Sequence, residues 1–121
     1  MPTRRTALAA LAAVPFARAQ EPPVLTLSSF SAEVTIPIGH PCMGGGVAPA
    51  REVLDPLEAR GFVLRGAGRP VVFLAVDWCE IRNAAYDRFR AKVAAAVGTD
   101  PVRVMLCALH QHDAPIFDTE A

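Results

Sequence analysis

The sequence predicts an α/β fold: a mixed sheet in which a β-hairpin leads into a right-handed βαβ unit, within an incomplete domain. Three observations carry this. Two runs rich in β-branched and aromatic residues, "GFVLR" and "PVVFLAVDW", are separated by "GAGR", the pattern of a hairpin with a glycine-bearing loop. Ile81, Ala85, Phe89, Val93 and Val97 then recur at intervals of four, with Ala84 and Ala96 assigned to the same stripe, as a one-sided surface helix requires. A third β-rich run, "VRVMLCAL", follows. A strand, a crossover helix and a second strand in one sheet make parallel neighbours with a right-handed connection.

The segment before this fold reads as a secretory signal peptide over residues 1–19. Arg4 and Arg5 precede an apolar run from Ala7 to Ala17, and Ala17-Arg18-Ala19 supplies a small-x-small cleavage site, the three zones such a peptide needs. The run is too short to cross a bilayer, which takes about 20 apolar residues, and Pro15 opposes a first helix of the fold. The Thr3-Arg4-Arg5 start is compatible with twin-arginine export. The expected location is therefore periplasmic or secreted. Removal of this segment takes Arg4, Arg5 and Arg18 and no acidic residue, so twelve basic against twelve acidic side chains become nine against twelve. No basic stripe remains to suit nucleic acid.

Export would expose Cys42, Cys79 and Cys107 to an oxidising compartment. An odd count without C-x-x-C spacing defines neither a disulfide framework nor a zinc knuckle. Cys107, inside an apolar run, reads as a small core residue.

Residues 20–31 read as a linker opened by "EPP", and residues 32–121 as the folded part. Ala32 to Ile36 offers a short extended segment, ended by Pro37 and Gly39. "HPCMGGGVAPA" is a loop. Its glycines lack the spacing of a phosphate-binding loop and no lysine follows, and His40 within it reads as solvent-facing. Val53 to Arg60 suits a brief helix or an extended arm. Val71 to Val76 is apolar at consecutive positions, which predicts burial of both strand faces. On the helix, Arg82, Asp87, Arg88, Arg90 and Lys92 cover the polar side. Gly98 suits the left-handed residue after its end, and Pro101 follows where a helix cannot continue.

Ligand sites in open α/β sheets lie beyond the carboxyl ends of parallel strands. The first parallel strand ends at Asp77 with Glu80 nearby, and the second ends at His110, followed by Gln111, His112 and Asp113. If the extended conformation persists, alternation places His110 and His112 on one side of the chain. Two neutral imidazoles so placed can bind one Zn²⁺. Asp113 could be a ligand, or could accept a proton from a ring nitrogen in support of one. Asp77 and Glu80 remain open between capping the helix N-terminus and serving the site. A catalytic zinc needs three protein ligands plus an open position, and no third is evident from the sequence.

The pattern resembles the N-terminal part of the neutral/alkaline non-lysosomal ceramidase family. The residues that carry the resemblance are "VTIPIGHPCMGGG", "LEARGFVLR", "VVFLAVDW" and, above all, "LHQHDAP" in place of the family's T-H-T-H-S-G-P. It covers roughly Ala32 to Pro115. The resemblance implies an exported zinc amide hydrolase that cleaves N-acylsphingosine or a related amide by zinc-activated water. It implies that His110 ligates the metal and that His112 lies in the active site near metal and substrate. The remaining ligands it implies (a further histidine, a glutamate and a tyrosine) come from later in a longer chain, so this chain alone is expected to be an inactive fragment. The implied partner is a small-molecule or lipid amide, with peripheral membrane contact in the longer protein. Leu109, Gln111, Asp113 and Ala114 stand where the family has Thr, Thr, Ser and Gly, and a carboxylate at Asp113 would change the charge beside the metal.

Two other classes remain open. A metallo-β-lactamase pattern, H-x-H-x-D-H, does not fit, because Asp113 comes one residue early and no third histidine follows; an amidohydrolase barrel places His-x-His at a strand end but needs more strands. A non-catalytic exported domain, truncated or degenerate, is the remaining alternative.

Overall fold

Strand-forming runs and the helix appear where their periodicities place them. The computed structural model describes residues 23–120, so the expected leader at residues 1–19 lies outside them. In chain order the elements are β1 (Thr26–Glu33), β2 (Glu58–Arg65), β3 (Val71–Val76), β4 (Glu80–Ile81), α1 (Asn83–Val97), β5 (Val104–Ala108) and β6 (Ile116–Phe117). The main sheet is mixed and four-stranded, in the order β1-β2-β3-β5. β2 and β3 form the expected antiparallel hairpin, with Val63 opposite Val72. β5 lies parallel to β3, with Val72 opposite Val104 and Val76 opposite Ala108, and α1 makes the crossover. The class is α/β, as the sequence predicts.

The register puts one stripe of β2, of β3 and of β5 beneath α1. Ala59 and Val63, Val72, Leu74 and Val76, and Val104 and Leu106 are buried there against Tyr86, Phe89, Val93, Ala94 and Val97. Val72, Val76 and Val104 are at most 2% exposed, and full burial of such a side chain is worth about 1.5–3 kcal/mol. Gly61 faces the same stripe for a steric reason. A Cβ there would sit 2.3 Å from the Phe73 carbonyl oxygen and 2.6 Å from the Phe30 ring.

Several expectations are corrected. Residues 26–31, read as linker, form most of edge strand β1, whose hydrogen bonds with β2 run from Thr26–Arg65 to Glu33–Glu58. Its side chains are all exposed, so no apolar alternation marked it. The expected strand at Ala32–Ile36 therefore overlaps only the last residues of β1. Residues 53–57 are irregular and β2 begins at Glu58, so the arm is extended only at its end. β3 is buried on one face rather than two: Val71, Phe73 and Ala75 are only half-buried, because α1 covers the other side. Cys107 points to this uncovered face and is exposed. On α1, Ala94 is buried while Ala84 and Ala96 face outward, and Ile81 belongs to β4. Gly98 ends the helix in the left-handed conformation, φ +77°, its N–H bonded to the Ala94 carbonyl.

Candidate metal site

The two strand ends meet through the backbone. Beyond β5, the Leu109 N–H donates to the Val76 carbonyl (3.0 Å) and the His110 N–H to the Trp78 carbonyl (3.1 Å). This carries the parallel pairing past the last residue of each strand. The chain then turns sharply, with His110 at φ +61°. A left-handed backbone costs an L-residue roughly 1–2 kcal/mol and persists only where the surroundings impose it. Here the constraint comes from the returning chain. Cys79 N–H donates to Pro115, Arg82 N–H to Phe117 and Met43 N–H to Ala114, each at 2.9 Å. β4 and β6 pair in parallel beside these bonds, and Ala114 is fully buried.

The turn brings His110 and His112 together by a different route from the expected one. The extended conformation does not persist through the pair, yet the rings meet edge to face with centroids 5.2 Å apart. Both histidines are exposed. Behind His110, its Nδ1 lies 4.0 Å from Cys79 Sγ and 3.7 Å from Glu80 Oε1. Donor atoms of Cys79, Glu80 and His110 all lie within 4.8 Å of one another, the one such grouping of three or more His, Cys, Asp or Glu residues among those described.

Charge is distributed unevenly around this cluster. The Arg82 guanidinium Nε–H donates to Glu80 Oε2, and that bond holds the Glu80 carboxyl below its ordinary range. Burial pushes the Cys79 thiol up, and the neighbouring Glu80 charge adds to the shift. Arg82 is itself held more firmly protonated, chiefly by Glu80, with Asp118 contributing. Asp118 is lowered by the Glu120 N–H first, and also by the Asn83 side-chain amide.

The other expected site residues separate from this centre. Asp77 Oδ2 accepts from the Glu58 N–H (2.9 Å), while its own N–H donates to the Glu58 carbonyl, so it ties β3 to the start of β2. The helix begins at Asn83 with Arg82 as its flanking residue and no acidic residue in its first turn, so neither Asp77 nor Glu80 caps it. Asp113 is exposed and joins Gln111 in lining a cleft of about 430 Å³ beside the glycine loop, away from Cys79 and Glu80. His40 is half-buried as a residue, and its ring engages its own loop, Nδ1 lying 2.8 Å from the Pro41 carbonyl.

Sequence reasoning passed over Cys79. The rule that placed His110 at one parallel strand's end applies equally to its neighbour, where Asp77-Trp78-Cys79-Glu80 follows β3. Comparison with known proteins finds no matching family model, curated protein or solved structure.

Cys79, Glu80 and His110 could together hold a metal ion. Imidazole, thiolate and carboxylate are all metal ligands, and several divalent ions accept them.

Proposed function

We propose that this chain carries the metal-holding corner of an exported, zinc-dependent amide hydrolase of the ceramidase type. The observation that supports it is the meeting of His110 and His112 at the carboxyl ends of the paired strands β3 and β5, where α/β sheets place their ligands. His110 would hold the metal. His112, exposed beside it, would orient the substrate carbonyl or balance charge developing on its oxygen. The chemistry a bound zinc ion supplies is Lewis acidity, which polarises a carbonyl and makes water a nucleophile near neutral pH. Export and a lipid amide as substrate rest on the leader-like residues 1–19 and on the resemblance of "LHQHDAP" to the ceramidase motif.

The test is metal content. The longer chain that the resemblance implies, stripped and reloaded, is expected to retain about one zinc per molecule, the occupancy of a single mononuclear site, and His110→Ala in it is expected to lose the metal with the circular dichroism unchanged. Equal zinc in the two proteins would reject the reading.

A further inference from the structure

We propose that the metal on His110 is bound within this chain by a three-donor set: His110 Nδ1, Cys79 Sγ and Glu80 Oε1. This rests on His110 being a ligand and deepens it, because the resemblance supplies the partners of that histidine only from a longer chain.

Geometry is the first support. The imidazole turns Nδ1 inward, 4.0 Å from the thiol sulfur and 3.7 Å from the carboxylate. Around tetrahedral zinc, with metal–nitrogen near 2.1 Å and metal–sulfur near 2.3 Å, such donors stand roughly 3.4–3.6 Å apart. His110 Nδ1 therefore stands a few tenths of an ångström farther from the thiol and from the carboxylate than in a loaded site, and donor atoms of the three residues all lie within 4.8 Å of one another.

The second support is how the donors are held. Cys79 is 1% exposed and fixed through its N–H to Pro115. Glu80 sits in β4, with Oε2 taken by Arg82 and Oε1 left facing His110. A ligating carboxylate is commonly oriented by such a bond to its other oxygen. Arg82 would repel a cation if it stood alone, but it lies between Glu80 and Asp118, which offset its charge. His110 keeps the left-handed backbone that directs its ring toward this pair. Three protein donors would leave one position of a tetrahedral ion for a further ligand, as in an open rather than a closed structural site.

Cobalt(II) reports the donor set directly, because thiolate ligation adds a charge-transfer absorption that nitrogen and oxygen ligands do not. The reduced 121-residue chain is titrated with Co²⁺, then with Zn²⁺ in competition. The expected result is a near-ultraviolet sulfur-to-cobalt band that saturates at about one ion per chain, as a single site requires, and that zinc abolishes. Cys79→Ser is expected to remove the band. Glu80→Gln should keep the band while weakening affinity by at least about tenfold, the lower end of what even a supporting residue costs. Because the band is read on the unsubstituted protein, the test survives a variant that fails to fold. Cobalt binding that His110→Ala abolishes but that shows no sulfur band overturns this donor set and leaves His110 as a ligand through its outer nitrogen. No binding by the 121-residue chain overturns this donor set alone, whereas binding indifferent to His110→Ala overturns both readings.

Discussion

The two ends of the paired strands β3 and β5 are built from the same backbone pattern and treated in opposite ways. At the amino end, polar groups answer one another. Thr99 Oγ1 donates to the Pro70 carbonyl (2.6 Å), Arg103 to the Arg69 carbonyl, and Arg69 pairs with Asp100. Arg90 from the helix reaches the Pro101 and Val104 carbonyls. Backbone strain is absent there except at Gly98, where glycine carries it without steric penalty. At the carboxyl end, a histidine holds a left-handed backbone, two imidazoles face solvent, and a thiol, a carboxylate oxygen and a ring nitrogen converge without hydrogen-bonding each other well. An end whose groups are mutually satisfied is doing structural service. An end that gathers three potential donors beside a left-handed turn is where the proposed metal would sit.

The largest effect should come from the layer that supports both ends alike. Leu74→Ala removes a 5% exposed side chain from the stripe beneath α1 and is expected to cost about 2–5 kcal/mol. Denaturant unfolding would show it, and metal binding should weaken with it, since this layer anchors both strand ends. A result in which stability is kept would mean the core has been misjudged.

The next changes separate the ends. Thr99→Val leaves the Pro70 carbonyl without its donor and is expected to cost about 1–3 kcal/mol, with zinc affinity untouched. His110→Gly should do the reverse. It relieves the left-handed strain, raising the metal-free protein's stability by up to about 1 kcal/mol, while zinc binding disappears. Thermal unfolding in chelator, beside a zinc titration, reads both signs at once; a loss of stability on His110→Gly would show that the turn is not strained.

The smallest effect concerns pH. Asp118 has a lowered pKa in the folded chain, so its contribution is fully present above its unfolded value and is lost as pH falls through the folded one. Unfolding midpoints of the protein and of Asp118→Asn should differ at neutral pH and converge in acid. Curves that stay parallel down to strong acid would remove Asp118 from the account.

Much of this was legible in the residues. The hairpin, β3, α1 and β5 each carry a local signature: β-branched runs bounded by glycine, or an apolar stripe closed by Gly98. β1 carries none, because an edge strand with every side chain exposed needs no alternation. β4 and β6 are two residues each and exist only because residues 114–117 return past residues 79–82. His110 and His112 were found by strand-end logic, although the turn that joins them was not foreseen. Asp77 was drawn into the site by the same logic, while the backbone of Glu58 engages it instead.

By itself, then, the sequence determined the class of sheet, the place of the crossover helix and the strand end where the histidines stand. These follow from periodicities of two and near four and from glycine and proline, which act within a few residues. Tertiary structure alone decided which face of β3 is covered, that residues 26–31 pair, and that Cys79 and Glu80 stand beside His110. Those contacts join residues about thirty apart in the chain, as in the pairing of Cys79 with His110, and no local pattern encodes a distance closed only when two strand ends are brought side by side.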